Sequence, residues 1–254
     1  MAHLLCTRGL VASAVVVWLL AGERGPVVAQ SVAPDTSLTA AGHNQVVKAA
    51  QDHYEALARA LDLRTRKRQG QPKPTEREIL EALLKVEQVP SNAKTIVRAA
   101  LQRLPSVDRA SQRRSPSIER SLKEIDDLLA SARTPRDVLQ RVSERRRLAG
   151  RTDAPGLALA LRLSEDMLRD GLSTIYSSRN RFYREMAKGG VGDAELDNGD
   201  AADVAKEDVK GAVAGGIGGF VAGGPAAAGP AAAVAAVGKS AAEVVGKVWD
   251  WIAD

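Results

Sequence analysis

The sequence predicts an all-α protein in which a multi-helix body is followed by a C-terminal Gly/Ala-rich helical hairpin. Apolar residues recur at steps of three and four along most of residues 38–188, which is the spacing of one helix face. Capping residues precede several of these stripes, and no segment shows the sustained alternation of a strand. Aromatic residues make up only 3% of the 254-residue chain. The core is therefore expected to consist mainly of Ala, Leu and Val.

Residues 1–29 are expected to be a secretory signal peptide. Arg8 precedes an apolar run over residues 10–21, and Val27-Val28-Ala29 has the small residues that a signal peptidase requires. As a helix the run is about 18 Å long, shorter than the roughly 30 Å core of a bilayer, so we favour cleavage over an uncleaved anchor. The chain is then exported, either periplasmic or extracellular. The sole cysteine, Cys6, is lost with this segment, which excludes a disulfide scaffold and cysteine chemistry.

Charge divides the mature chain into three zones. Residues 30–188, the predicted basic helical body, contain 30 Lys and Arg against 20 Asp and Glu. Residues 189–203 contain five acidic residues, several glycines and no basic residue. They are expected to form a flexible linker that either lies against the body or stays solvated. Residues 204–254, the predicted glycine-zipper hairpin, are nearly neutral, with four basic and five acidic residues.

The first helices of the body follow from apolar stripes and from the residues that interrupt them. One helix is predicted from Leu38 to Leu63, and the basic and proline-containing segment from Arg64 to Pro74 is expected to be a linker. Thr75 and Glu78 have the spacing of a capping box. They predict a second helix that stops near Val89.

Proline and hydroxyl residues mark the remaining helices of the body. Ser91 is expected to cap a helix that Pro105 ends. Ser115-Pro116 and Thr134-Pro135 each place a hydroxyl residue at the N-cap and proline at the first helical position. The longest helix is predicted to follow Pro155 and to stop at Gly189.

Four glycines define one face of the first hairpin arm. Residues 211–238 carry no charge, and glycine recurs there at four-residue spacing, at Gly211, Gly215, Gly219 and Gly223. On a helix these glycines form a groove that allows another helix backbone to approach closely. The seven glycines of residues 211–224 penalise an isolated helix by about 5 to 7 kcal/mol, so we expect this helix to need a partner.

The second hairpin arm is the nearest partner for this groove. Gly224-Pro225 and Gly229-Pro230 predict the turn between the arms, and a helix is predicted from Ala231 to Ile252. Small and branched residues at three- and four-residue steps give that helix one apolar face. The groove is therefore expected to pack on this arm or to be shared with a second copy of the chain. The alternative to a packed hairpin is a flexible, low-complexity Gly/Ala tail.

Catalytic and metal-binding patterns are scarce. The mature chain has two histidines, His43 and His53, which on one helix lie about 15 Å apart along the axis and about 80° apart around it. They match no metal or catalytic motif, so we expect surface or capping histidines. No glycine motif for phosphate binding occurs. We expect no catalytic residue, no cofactor and no metal, and therefore no enzyme.

A resemblance covers the tail and the start of the first helix. Gly42-His43-Asn44, taken with the Gly/Ala-rich stretch 208–243, resembles exported bacterial proteins of unknown function with a C-terminal glycine-zipper tail. The tail is also similar to the Gly/Ala-rich pore-forming region of double-glycine bacteriocins. The signal peptide and the large basic body have no counterpart in those bacteriocins.

These observations favour an exported non-enzymatic protein whose glycine zipper mediates helix packing or self-association at the cell envelope. The alternative is a membrane-active or pore-forming polypeptide for which Phe220, Trp249 and Trp251 are candidate anchors. Expected partners are a second copy or another helical protein, and an anionic lipid or a cell-wall polymer for the basic clusters. Export argues against nucleic acid as the partner.

Overall fold

Helices account for 81% of the residues that the structure describes. The computed structural model describes residues 39–111, 115–150, 153–177, 179–188 and 199–252. Within these ranges it contains eleven α-helices and no strand, which confirms the all-α prediction. The expected signal peptide and residues 189–198 of the expected linker lie outside the described residues.

The predicted first helix is three helices: α1 (Ala40–Asp52), α2 (Tyr54–Ala60) and α3 (Leu63–Arg68). The breaks fall at His53 and at Asp62, whose φ of 49° is left-handed. The expected linker after Leu63 is wrong over α3, because Arg and Lys are good helix formers and favour the last turn. Gly70, with φ of 64°, follows the end of this helix.

The predicted capping box correctly locates the start of the next helix. In α4 (Glu76–Lys85) the Thr75 side chain accepts from the Glu78 amide and the Glu78 carboxylate accepts from the Thr75 amide, which confirms the capping box. The helix ends at Lys85, before the predicted stop, because Val86 is extended.

A predicted stop at Pro105 is wrong. Helix α5 (Ser91–Ser111) continues through this proline. Proline removes one backbone hydrogen bond, and a long helix held by tertiary contacts tolerates that loss. The helix packs against α1, α4 and both hairpin arms.

The two serine/threonine-proline starts are confirmed. Helix α6 (Pro116–Ala130) is capped by Ser115 and α7 (Pro135–Leu148) by Thr134, and each helix has proline at its first position. The predicted longest helix divides into α8 (Leu157–Gly171) and α9 (Arg181–Lys188). The intervening turn directs Ile175 and Tyr176 into the core, where both are buried.

The hairpin arms are longer than predicted. Helix α10 (Gly199–Gly223) includes the last residues of the expected acidic linker. Acidic groups favour a helix N-terminus, and Lys247 pairs with Asp200 and Asp203 at 2.7 and 2.8 Å. Helix α11 (Pro225–Trp251) begins one residue after Gly224, whose φ is 72°, so the predicted turn at residues 229–230 is wrong.

The hairpin lies among the body helices. Helix α10 contacts α5, α6, α7 and α8, while α11 contacts α1, α2, α4, α5 and α8. Both arms therefore bury residues on more than one face, as expected for helices inside a core. Among the described helices, none combines the length and the apolar composition needed to cross a bilayer.

Candidate functional site

The glycine face of α10 contacts a row of alanines on α11. The glycines are Gly211, Gly215, Gly219 and Gly223. The alanines facing them share their four-residue spacing and are Ala227, Ala231 and Ala235. Two rows of small residues at the same spacing allow the two helices to run in direct backbone contact.

The approach leaves no room for side chains at the centre of this face. A Cβ atom on Gly219 would lie 2.7 Å from the Ala227 carbonyl oxygen, and one on Gly215 would lie 2.6 Å from the Ala235 Cβ. Both distances are shorter than van der Waals contact, so a side chain at either position would force the helices apart. The glycine face is thus occupied by the same chain.

A second close approach, on α8, was not anticipated from the sequence. A Cβ on Gly216 would lie 2.6 Å from the Cβ of Ala160, and Phe220 covers Gly156. Gly156 has φ of 87°, a conformation that favours glycine. Glycines on both sides of α10 therefore let α8 and α11 approach the same helix.

The three candidate anchors do not form one surface. Phe220 is half-buried against α8 at the hairpin tip, Trp249 is half-buried at the edge of the core, and Trp251 is 40% exposed. The 27 residues of α11 span about 40 Å. Phe220 consequently lies at the opposite end of the hairpin from the two tryptophans.

A buried polar centre joins the hairpin to the body. His43 is fully buried, and its Nε2 lies 2.9 Å from Asp208 Oδ1 and 3.3 Å from Ser240 Oγ. The expectation of a surface or capping histidine is therefore wrong for His43. His53, at the junction of α1 and α2, is half-buried and occupies a cap position.

The hydrogen bonds around His43 indicate its protonation. Asn44 donates to the Met167 carbonyl oxygen at 3.1 Å, so its own oxygen faces His43 Nδ1 at 2.9 Å. The other ring nitrogen faces the carboxylate of Asp208. Both ring nitrogens therefore face acceptors, which favours the imidazolium form.

Electrostatics at this centre follow from burial and close pairing. Burial opposes charge on His43, but the carboxylate of Asp208 and the two hydrogen bonds outweigh it, so the pKa of His43 is raised. The Tyr176 hydroxyl donates to the second carboxylate oxygen of Asp208. Burial and that negative charge hold the pKa of Tyr176 well above its usual value.

Four segments that are distant in sequence supply this centre. His43 and Asn44 come from α1, Tyr176 from the turn after α8, Asp208 from α10 and Ser240 from α11. The Ser240 hydroxyl also donates to the Ala236 carbonyl oxygen at 2.7 Å. All of these side chains are buried, so the arrangement positions helices rather than exposing a reactive group.

Sequence reasoning missed Asp208 and Ser240, although a signal was available. Asp208 follows Val204 by four residues, and Ser240 lies between Val237 and Val244, so both occupy apolar stripes. His43 likewise precedes Val46 and Val47 by three and four residues. A polar residue on an apolar stripe predicts a buried partner.

The described residues contain no group of three or more His, Cys, Asp or Glu side chains arranged to hold a metal ion. No protein-family model matches the chain, and no match was found among the curated proteins or the solved structures.

Proposed function

We propose that this chain is an exported, non-enzymatic helical protein of the cell envelope whose glycine hairpin mediates helix packing. The observation that carries the proposal is the contact of the glycine face with Ala227, Ala231 and Ala235 of the same chain. Body helices surround both arms, so the hairpin organises the fold. A second copy or another helical protein would bind the outer surface of this assembly.

Burial of the polar centre supports a non-enzymatic role. His43, Asp208 and Ser240 are residue types that catalyse acyl transfer, and all three are fully buried. Their hydrogen-bonding groups are used on one another and on neighbouring backbone. A substrate would have no access to them.

Sequence features support the location and the chemistry of a partner. The apolar run over residues 10–21 and the small residues at 27–29 favour export. The excess of basic residues in the body favours an anionic lipid or a cell-wall polymer over nucleic acid in that compartment. Intact-mass analysis of the exported protein is expected to show a chain that begins at or near Gln30. Mature protein that retains residues 1–20 would contradict export by this signal.

A pair of double variants tests the packing role. Leucine at Gly215 and Gly219 raises helix propensity but prevents close approach to α11, so protease resistance of the mature chain should fall strongly. Leucine at Gly229 and Gly246 is the matched control. A Cβ at Gly229 meets no atom within 4 Å, and one at Gly246 meets only Glu243 Oε2 at 4.0 Å.

The result discriminates packing within the chain from association between chains. We expect the Gly229/Gly246 control to retain the protease resistance of the wild type. Native mass spectrometry of both double variants then gives their oligomeric state. If the Gly215/Gly219 variant is as resistant as the wild type, the glycine face does not stabilise the fold. If the Gly215/Gly219 variant keeps its protease resistance but no longer forms an oligomer that the wild type forms, the glycine face mediates contacts between copies of the chain.

One observation favours the membrane-active alternative. Residues 211–238 are uncharged, and at the tip of the hairpin Val221 is 45% exposed, next to the exposed Ala222 and Gly223. In that case the mature chain releases dye from anionic phosphatidylglycerol vesicles, and Val221→Asp abolishes release. Leu148→Asp, at a 77% exposed position on α7, is the control. Our main proposal predicts no release by any of the three proteins.

A further inference from the structure

A pocket of about 370 Å³ lies between the α2–α3 corner and the last turn of α11. Its apolar walls are Leu63 and Val248, which are buried, together with Ala58, Ile252 and the exposed ring of Trp251. This volume and this apolar lining are typical of sites for small organic ligands.

Arg59 and Arg64 both line this pocket because the chain turns sharply between them. Arg59 and Arg64 are five residues apart, and on one regular helix they would point about 140° apart. Helix α2 ends at Ala60, and Asp62, whose φ of 49° is left-handed, is the N-cap of α3 between the two arginines. Both arginines consequently line the pocket.

The two arginines form no ion pair or side-chain hydrogen bond among the described residues, whereas their neighbours on α3 are engaged. Arg66 binds Glu78 at 2.5 Å, and Lys67 donates to the Ile252 carbonyl oxygen at 2.6 Å. Lys67 thereby holds the last turn of α11, which carries Trp251, against α3.

The acidic residues of the pocket differ in how they are engaged. Glu55 Oε1 lies 3.2 Å from the Tyr54 hydroxyl, but Glu185 Oε2 is closer to that hydroxyl, at 2.5 Å, and is the better acceptor for its single proton. Asp62 is exposed at the corner, and it makes no ion pair with either arginine. Both carboxylates therefore face a ligand together with the two arginines, but residues 55–68 contain five basic residues against these two acidic ones, so the charge around the pocket is net positive. A ligand would meet this positive charge above an apolar floor with an indole ring.

We propose that this pocket binds a single-chain amphiphilic anion. Its apolar part lies on Trp251, Val248 and Ile252, and its carboxylate or phosphate accepts hydrogen bonds from Arg59 and Arg64. This site is separate from the glycine face, and the proposal does not depend on the packing role of the hairpin.

Tryptophan fluorescence provides a direct test on the mature chain. That chain retains only Trp249 and Trp251, because Trp18 lies in the expected signal peptide. Decanoate and decyl phosphate, both below their micelle concentrations, should change the emission in a saturable way. Decyltrimethylammonium and decanol are the cationic and neutral controls and should bind more weakly. Trp251→Phe should remove the response and Trp249→Phe should retain most of it.

Charge variants test the role of the arginines. Arg59→Gln and Arg64→Gln should each raise the Kd for decanoate about tenfold, since each removes a charged hydrogen-bond donor. Arg68→Gln makes the same change at an exposed position of α3 outside the pocket and should leave the Kd unchanged.

Three outcomes would overturn the proposal. The first is the lack of a saturable response to either anion. The second is a result without charge selectivity: the cationic and anionic amphiphiles bind equally well, or the Arg59, Arg64 and Arg68 variants have the same Kd for decanoate. The third is a response to phosphatidylglycerol vesicles without one to monomeric decanoate, which would indicate a membrane surface as the ligand.

Discussion

At the scale of single residues, the contact between His43 and Asp208 links the hairpin to the body. The pair is fully buried, and it connects α1 to α10 across 165 positions of sequence. A buried ion pair contributes little net stability compared with apolar residues of the same size, but the loss of one partner leaves an unpaired charge. Such a pair therefore favours one docking position of the hairpin over others.

The raised pKa of His43 predicts how stability depends on pH. A group whose pKa is higher in the folded state contributes stability that is full below its unfolded pKa, about 6.5, and is lost as pH rises through the folded pKa. The free energy of unfolding from urea titration should therefore decrease at alkaline pH. The decrease should be smaller in His43→Gln, and an equal decrease in both proteins would assign it to other groups.

Removal of both partners of this pair should cost less than the sum of the two single removals. Asp208→Ala leaves the imidazolium and the Tyr176 hydroxyl without their acceptor, and should lower the free energy of unfolding by about 3 to 5 kcal/mol. The double variant His43→Leu and Asp208→Ala should lose less than the sum of the single changes. Strict additivity in this double-mutant cycle would show that the two side chains act independently.

At the scale of helices, starts that a capping residue marks were predicted more accurately than ends assigned to a breaker residue. Thr75, Ser115 and Thr134 each cap a helix by accepting from the backbone amide three residues ahead, so the information is local. Pro105 and Pro230 lie inside helices because packing on several neighbours outweighs one lost hydrogen bond. A breaker residue is thus a weaker signal than a cap.

A threonine-to-alanine pair tests the contribution of a cap. Thr134→Ala removes the side-chain oxygen that accepts from the Asp137 amide at 3.1 Å, and should destabilise the protein by about 1 kcal/mol in urea titrations. Thr95→Ala makes the same change at an exposed position inside α5, where alanine is the better helix former. We expect no loss or a small gain there. An equal decrease in the free energy of unfolding for both variants would show that the capping hydrogen bond is not the source of the stabilisation.

At the scale of the whole molecule, the hairpin belongs to the core. Valines of both arms, such as Val204, Val213 and Val237, are fully buried and belong to the same hydrophobic core as Leu157 and Leu168 of α8. The body helices would therefore expose their apolar stripes without α10 and α11. We therefore expect the boundary at residue 204 to separate two zones of composition and not two units that fold independently.

Truncation tests this dependence. A mature chain that ends at residue 198 should retain helical circular dichroism from its capped helices, but it should melt without a cooperative transition and bind a hydrophobic dye. The mature chain of full length should melt cooperatively under the same conditions. A sharp transition in the truncated chain would show that residues 30–198 fold independently of the hairpin.

Neighbouring residues were sufficient to predict the all-α class, the capped helix starts, the apolar face of α11 and the need of the glycine arm for a partner. These features depend on interactions within one or two helical turns, which a sequence displays directly. The four glycines were recognisable because their spacing matches the helix repeat.

Long-range contacts were needed for the rest. The burial of His43 and the pocket beside Trp251 each join segments more than 100 residues apart in the sequence. The sequence also left open whether the glycine face packs on α11 or on a second copy of the chain, and only the tertiary structure shows that it packs on α11. Local sequence shows that a side chain or a groove requires a partner, but the free energy of bringing distant segments together selects which one it contacts.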